Sequence, residues 1–236
     1  MSFVINPYRF GGGVTPPVPD DAFAEYLFDS GTTTTPDTSG NGYTGTLIND
    51  ASVADGILSL DGTGDRMNIN DTDDFSFTDG AGNDTAASIS AWIRPTQAIG
   101  AAEIIASKCS TSFEWELQTD VSGLIQLVLY TSTAAAYIFG RSGNTYVQNT
   151  WLHVVATYDG SEASSGIEIY LDGTNDTTTQ DGVGSYTGMT NTTNDIGVGA
   201  RTSNVNPFQG EMDNVRFFDR ELSAAEVTQL FNEGHD

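Results

Sequence analysis

Cysteine and lysine are almost absent from this chain of 236 residues, and both shortages restrict what it can be. The one cysteine, Cys109, cannot form an internal disulfide, so packing and backbone pairing must stabilise the fold. No basic cluster surrounds Cys109 to stabilise a thiolate, which favours a small buried side chain over a reactive one. No apolar run approaches the ~20 residues of a membrane-spanning helix, so we expect no membrane span.

Basic residues as a class are scarce, with 8 Lys and Arg against 32 Asp and Glu and a net charge of −24. A surface with this charge repels phosphate backbones, which argues against direct binding of nucleic acid. The same charge favours solubility in a saline medium and attracts divalent cations.

Long amphipathic stretches are missing too, and short apolar stretches separated by turn signals take their place from residue 22 onward. Ser88–Arg94 shows the pattern, with Ile89, Ala91 and Ile93 on one face of a predicted strand. The glycines of Asp61–Asp65 predict a hairpin turn between two strands. About a dozen such strands, spaced roughly ten residues apart, predict an all-β sandwich or jelly roll.

One helix is predicted, at the C-terminus. Ser223 and Glu226 have the spacing of a capping box, and Gly234 follows as a stop signal. Val227 and Leu230 supply the apolar stripe between them.

Residues 1–21 differ from the rest and are predicted to be a docking tail with a Gly/Pro linker. The segment lacks the basic start and long apolar run of a secretory signal. Its alternative role is an edge strand folded back on the sandwich. The predicted partner-docking side chains, for another protein such as a shell, fibre or tail subunit, are Phe3, Val4, Ile5, Tyr8 and Phe10.

The chain from about residue 22 to 234 resembles the laminin-G-like, concanavalin A-like lectin/glucanase superfamily. The motifs that carry the resemblance are Tyr26-Leu-Phe-Asp29, Asp37-Thr-Ser-Gly-Asn-Gly42, Leu58-Ser-Leu-Asp-Gly62, Ser88-Ile-Ser-Ala-Trp-Ile-Arg-Pro95, Trp151-Leu-His-Val-Val-Ala-Thr-Tyr-Asp-Gly160, Ile169-Tyr-Leu-Asp-Gly173 and Phe208-Gln-Gly-Glu-Met-Asp-Asn-Val-Arg-Phe-Phe-Asp-Arg220. The resemblance implies one concanavalin A-like jelly-roll β-sandwich over 22–236, made of two antiparallel sheets with one short C-terminal helix. One sheet is concave in this family and forms the usual ligand groove.

Catalysis is not expected, although the sequence offers two candidate carboxylate pairs. Related glucanases carry Glu-x-Asp-x-(x-)Glu on one strand, and Glu211 and Asp213 match only its first half. Glu114 and Glu116 lie two residues apart on one strand face, roughly 6.5–7 Å from each other. Alternation predicts instead that Phe113, Trp115 and Leu117 face the core and that both glutamates face water. His153 is predicted to be a partly buried structural residue, and His235 to be solvated.

A structural Ca²⁺ ion is predicted where the first and last strands meet. The candidate ligands are Asp29, Asp37, Asn41 and Asp213, because calcium prefers carboxylate and carbonyl oxygens. The resemblance supports this prediction, since many relatives hold calcium near such positions. The alternative is that Asp37 and Asn41 cap turns through bonds to the backbone.

Sugar recognition needs aromatic faces and polar side chains that hydrogen-bond to hydroxyls. The candidate rim residues are Tyr130, Tyr137, Tyr146, Tyr186, Arg141 and Asn144. Alternation leaves open which of them face a groove.

We therefore predict a non-catalytic structural or adhesion protein that displays a recognition domain. Residues 1–10 resemble the start of small structural proteins from phage-like viruses, which implies a virion surface component (decoration, fibre or tail). A carbohydrate-binding module, extracellular in location, is the alternative, and a glycoside hydrolase the third candidate. The sequence leaves assembly into a homo-oligomer open.

Overall fold

The computed structural model describes residues 18–235, in which 17 strands form two antiparallel sheets accompanied by one α-helix. The strands are β1 (Ala24–Tyr26), β2 (Thr34–Thr35), β3 (Gly45–Ile48), β4 (Ser52–Ala54), β5 (Ile57–Asp61), β6 (Arg66–Ile69), β7 (Ala87–Pro95), β8 (Glu103–Cys109), β9 (Phe113–Thr119), β10 (Leu124–Ser132), β11 (Tyr137–Thr145), β12 (Leu152–Tyr158), β13 (Ile167–Leu171), β14 (Thr174–Asn175), β15 (Thr177–Val183), β16 (Ile196–Val198) and β17 (Gln209–Phe218). The helix α1 spans Ala224–Glu233.

The two sheets pack face to face as a jelly-roll sandwich, as the sequence predicts. The eight-stranded sheet has the order β14-β13-β12-β7-β17-β5-β4, and β1 also pairs with β17. The nine-stranded sheet has the order β15-β11-β10-β9-β8-β16-β6-β3-β2. The pairing of β1 with β17, with Tyr26 opposite Val215, confirms that the first and last strands are neighbours.

One continuous core lies between the sheets, because alternate residues of each strand point inward. Ile89, Ala91 and Ile93 of β7 all enter it, as their alternation predicts. Trp115 enters from β9 and stacks on Phe77 with ring centroids 5.2 Å apart. Each large apolar side chain buried in this way stabilises the fold by roughly 1.5–3 kcal/mol.

The predicted hairpin at Asp61–Asp65 is wrong. Strand β5 pairs with β4 and β17 in the smaller sheet, whereas β6 pairs with β3 and β16 in the larger sheet. The connection therefore crosses from one sheet to the other. Gly62 and Gly64 do have the positive φ angles of a tight turn, at 82° and 97°. Local turn chemistry is the same whether the chain returns along its own sheet or changes sheet, which is why the pattern misleads.

Helix α1 forms as predicted. Ser223 Oγ accepts the Glu226 N–H, and Glu226 Oε2 accepts the Ser223 N–H at 2.8 Å, so the capping box is complete. Val227 and Leu230 are buried, and the helix ends at Gly234 with φ at 86°. No helix in the described part of the chain is long and apolar enough to cross a membrane.

The described chain begins inside the segment assigned to the linker. Pro19 is buried, and Val18 and Ala22 pack against the apolar cluster beneath α1. Asp21 forms an ion pair with Arg220 at 2.6 Å between Oδ2 and Nε. Residues 18–21 are thus attached to the sandwich, while the predicted docking residues Phe3, Val4, Ile5, Tyr8 and Phe10 lie outside the described residues.

Candidate functional site

The outer face of the smaller sheet is closed by the C-terminal helix. Tyr170 and Phe218 of this sheet pack with Val227 and Leu230 of α1 in one buried cluster. Trp92 on the same face stacks on Phe231, with ring centroids 5.7 Å apart. A ligand therefore has no access to the middle of this face.

The outer face of the larger sheet is built from rows of residues that lie opposite each other on neighbouring strands. Directly paired residues of an antiparallel ladder share a face. Tyr130 of β10 pairs with Tyr137 of β11, and Gln126 pairs with Arg141. The intervening residues Leu127, Leu129 and Ile138 point into the core. The first set therefore faces away from the core.

We call this surface the open face. Its half-buried members, Phe113, Gln126, Tyr137, Phe139, Arg141 and Arg201, combine aromatic rings with amide and guanidinium groups. Two exposed residues of edge strand β15, Asp181 and Val183, continue its rows opposite Phe139 and Tyr137. A surface of this kind offers flat apolar patches beside hydrogen-bonding groups, which is what recognition of a polar ring requires.

Both arginines of the open face are held by ion pairs. Arg201 makes two bonds to the Glu116 carboxylate, and its guanidinium lies 4.9 Å from the ring centroid of Phe113. Arg141 Nη1 lies 3.2 Å from Asp120 Oδ2. Tyr130 Oη donates to Glu116 Oε2 at 3.0 Å, and burial raises the pKa of this phenol further above its ordinary value. These pairs fix the arginine planes beside the aromatic rings.

The prediction that Glu114 and Glu116 face water is wrong, because both side chains are fully buried. The segments that carry Thr192 and Arg201 contact the two carboxylates. Phe113 was expected in the core but packs on the outer face against Tyr130. Register shifts in the pairing of β8, β9 and β10 accompany this change of side. Trp115 and Leu117 are in the core as predicted.

Glu114 belongs to a buried polar cluster around Lys108, the chain's only lysine. Lys108 Nζ lies 3.2 Å from Glu114 Oε2 and 2.9 Å from Asp71 Oδ1, and donates to Ser76 Oγ at 2.7 Å. Thr192 donates both its N–H and its hydroxyl to Glu114. Burial raises the pKa of Glu114 above its ordinary value, and Lys108 acts in the opposite direction. The cluster joins the loop of Asp71 and Ser76, and the loop of Thr192, to strands β8 and β9.

The other candidate catalytic groups have structural partners. Glu211 accepts a hydrogen bond from Arg94 Nε at 2.8 Å. His153 is buried, with Nε2 lying 3.1 Å from Ser90 Oγ, and burial lowers its pKa to about 3. The prediction that His235 is solvated is wrong, because it is half-buried between Trp92 and Trp151, with ring centroids 4.7 and 4.3 Å away. Cys109 is buried, and burial raises the pKa of its thiol.

The four predicted calcium ligands have different surroundings. Asp37 accepts bonds from the N–H groups of Glu25, Ser39, Gly42 and Tyr43, which lower its pKa although burial alone would raise it. Asn41 donates to the carbonyl of Phe23. Asp29 is exposed, and Asp213 is fully buried.

This arrangement fits turn capping by Asp37 and Asn41 better than it fits a calcium site. Between residues 18 and 235, no three His, Cys, Asp or Glu side chains are grouped so that they could hold a metal. Calcium binding stays an untested prediction of the sequence, and these contacts favour the alternative of turn capping.

Two of the four candidate tyrosines, Tyr130 and Tyr137, lie on the outer face of the larger sheet. Tyr130 and Tyr146 are buried, and Tyr186 donates its hydroxyl to Asp84 at 2.6 Å. Tyr137 lies on the open face. Phe139 and Arg201 were not predicted as site residues. The alternation of Tyr137, Phe139 and Arg141 along β11 would have identified Phe139, but Arg201 reaches the face from a loop and leaves no pattern.

A separate cavity of about 370 Å³ lies at one end of the sandwich. Trp151, Val147 and Leu171 supply its apolar lining, and Asn144 and Asp172 are among its polar residues. Asn144, predicted as a rim residue, therefore lies here and donates to Asp176 at 2.6 Å.

A family model described as the concanavalin A-like lectin/glucanases superfamily (Laminin_G_3) matches residues 61–228. The search of curated proteins gives no significant match.

The fold is similar to the binding domains of several toxins. The binding domain of botulinum neurotoxin DC, solved in complex with rat synaptotagmin II, has a TM-score of 0.65 and 16% identity, covering 92% of this chain and 52% of that one. A botulinum neurotoxin type C structure, described through the interaction of the toxin with two ganglioside molecules, has a TM-score of 0.66 and 16% identity, covering 92% of this chain and 52% of that one. The binding domain of Paraclostridial Mosquitocidal Protein 1 has a TM-score of 0.63 and 15% identity, covering 91% of this chain and 52% of that one. The chain spans about half the length of these structures, and identities this low establish the fold alone.

Proposed function

Because this chain belongs to the concanavalin A-like lectin/glucanase superfamily, we propose that it is a non-catalytic recognition domain that binds a glycan on its open face. The observation that carries the proposal is the difference between the two outer faces. Helix α1 covers one of them, whereas the other presents half-buried Tyr137 and Phe139 beside Arg141.

The chemistry of the open face supports a sugar ligand. A pyranose ring has an apolar face of C–H groups, which packs on aromatic rings such as those of Tyr137 and Phe139, and a rim of hydroxyls. Arg141 donates hydrogen bonds, and the side chain of Gln126 opposite it both donates and accepts. One patch therefore serves both parts of the ring.

The state of the two glutamates supports binding without hydrolysis. A glycosidase needs one carboxyl group to protonate the leaving oxygen and a second to act as nucleophile or base, and both must touch the sugar. Here the Glu114 and Glu116 side chains are fully buried, and each is paired with its own cation. A sugar on the open face would reach neither of them.

The toxin neighbours favour the same class of function, since their descriptions name binding domains. We further propose that residues 1–17 attach this domain to a larger assembly, with a virion surface as the setting. The aromatic and apolar residues of that segment and the surface charge of the domain support this part of the proposal.

Binding of the full chain to a panel of oligosaccharides tests the main proposal. Tyr137→Ala and Phe139→Ala should each weaken binding by roughly two- to tenfold, since one lost stacking contact is worth about 0.5–1.5 kcal/mol. Val147→Ala is the matched control, because it removes exposed apolar surface from the end cavity instead. A Val147 effect larger than the Tyr137 effect would move the site to that cavity. Failure of all panel members to bind would refute the proposal.

Hydrolysis assays test the non-catalytic part. We expect no product from any glycan that binds. Reproducible cleavage that is lost in Glu114→Gln or Glu116→Gln would contradict this part directly.

Attachment through residues 1–17 is tested in the full chain by Phe3→Ser and Phe10→Ser. These changes should leave the unfolding transition unchanged and reduce assembly with the particle or fibre partner. Unchanged assembly would count against a docking role for the segment.

A further inference from the structure

We propose that the open face selects uncharged glycans and discriminates against sugars that carry carboxylate or sulfate groups. This inference rests on the proposed function and specifies its ligand class. It follows from the way the fold pairs its few lysine and arginine side chains with Asp and Glu.

The lysine and arginine side chains of the described chain already have partners within the protein. Six of the seven between residues 18 and 235 form ion pairs with Asp or Glu: Arg94, Lys108, Arg141, Arg201, Arg216 and Arg220. The seventh, Arg66, is buried and donates to Asn68 Oδ1 and the Gly64 carbonyl. An acidic sugar would have to take a guanidinium from an internal carboxylate.

On the open face itself, each arginine and its carboxylate form a unit without net charge. In the Arg141–Asp120 pair, the arginine side chain is 33% exposed and the aspartate 13%. In the Arg201–Glu116 pair, the glutamate is fully buried. Such units still donate hydrogen bonds to sugar hydroxyls, but a ligand carboxylate placed beside them meets Asp120 or Glu116 as well as the arginine.

The surrounding charge acts in the same direction. Asp181 is exposed at the edge of the open face, opposite Phe139, and the whole chain carries −24. Salt shortens the range of this field to about 8 Å at physiological ionic strength, so its contribution should decline as salt is added. The ion-paired arginines act at contact distance and should keep their effect.

The test uses matched pairs of oligosaccharides, each a neutral galactose-terminated chain and its sialylated or sulfated counterpart, titrated into the full-length protein. We expect the neutral member to bind at least about tenfold more tightly at ~20 mM salt, with a smaller difference at ~150 mM. Equal or tighter binding of the acidic members would overturn the inference and leave the proposed function intact. If neither member of any pair binds, the proposed function fails and the inference falls with it.

A pair of variants tests whether ion pairing sets the preference. Asp120→Asn keeps an oxygen for the Ser122 and Leu124 N–H groups but releases Arg141. It should tighten binding of the acidic members about tenfold and leave the neutral members nearly unchanged. Asp79→Asn is the matched control, because Asp79 accepts N–H groups two and four residues ahead at the same distances, 2.7 and 3.1 Å, and forms no ion pair with an arginine of residues 18–235. If both variants raise acidic-glycan binding equally, general charge sets the preference and ion pairing does not.

Discussion

At the scale of single residues, the most consequential contact is the buried pair of Lys108 and Glu114. Lys108→Met keeps the length of the side chain but leaves Glu114 buried without its cation. We expect a loss of about 3–5 kcal/mol in the free energy of unfolding, measured with denaturant, because an uncompensated buried charge is costly. Glu114→Gln added to this variant should restore part of the stability. A single variant as stable as the wild type would contradict a stabilising role for the pair.

The loss should also depend on pH. Burial raises the pKa of Glu114, and without Lys108 nothing in the pair opposes that rise. A carboxyl group whose pKa is higher in the folded state binds protons preferentially when folded, so the stability of the variant falls as pH rises. The difference between Lys108→Met and the wild type should therefore be smaller at pH 5 than at pH 7. A difference that grows as the pH is lowered would contradict this assignment.

Because of His153, we expect the stability of the wild type to depend on pH in the opposite direction. Burial lowers the pKa of folded His153 to about 3, whereas its ordinary value is about 6.5. Between these two pH values the unfolded state binds a proton that the folded state does not. His153 thus contributes stability that is fully present above about pH 6.5 and is lost as pH falls, by about 2 kcal/mol at pH 5. The measurement is the change in unfolding free energy from pH 7.5 to pH 5 in the wild type and in His153→Gln. Equal changes in the two proteins would show that His153 does not titrate as described.

The residue scale is also where sequence reasoning was least successful. Nothing local distinguishes a glutamate facing water from one covered by residues 78 or 85 positions away, as Glu114 is by Thr192 and Glu116 by Arg201. The prediction for Trp115 succeeded because its inward direction depends only on alternation along β9. Contacts between residues this far apart in the sequence leave no local pattern, so only the three-dimensional structure shows them.

At the scale of elements, helix α1 closes one face of the sandwich and leaves the other as the candidate site, and its capping box stabilises the start of the helix. Ser223→Ala removes the side-chain acceptor for the Glu226 N–H, and we expect a loss of about 1 kcal/mol in stability. Ser223→Asn keeps a capping oxygen and should lose much less. Thermal unfolding of the three proteins measures the difference. Equal losses in both variants would indicate that Ser223 matters for a reason other than capping.

The elements predicted well are those whose apolar residues alternate or follow a cap. Strand β7 and helix α1 belong to this group. Strand β15 shows no such alternation, since its sequence Thr177–Val183 is polar and it pairs only along one edge. Strand β11 alternates from Tyr137 to Arg141, but its two glycines weaken a strand prediction from sequence. A Cβ at Gly140 would lie 2.5 Å from Ile167 Cγ2, so the packing of the two sheets, and no local preference, explains that glycine.

At the scale of the whole molecule, 32 acidic residues against 8 basic ones make the folded state repel itself. Added salt screens this repulsion, so the melting temperature should rise between ~20 mM and ~500 mM NaCl. A fall would mean that the ion pairs lose more from screening than the excess charge gains.

Calcium chloride at matched ionic strength separates this general effect from the predicted calcium site. An ion that binds only the folded state raises stability beyond screening, in proportion to the logarithm of its concentration above its dissociation constant. Asp37 already accepts four backbone N–H groups, so calcium at this carboxylate would have to displace donors that the turn supplies. We therefore expect the calcium and sodium curves to coincide, and a chelator to leave the melting temperature unchanged. A rise specific to calcium, lost in Asp37→Asn, would instead support the ion predicted between the first and last strands, whose pairing the fold contains.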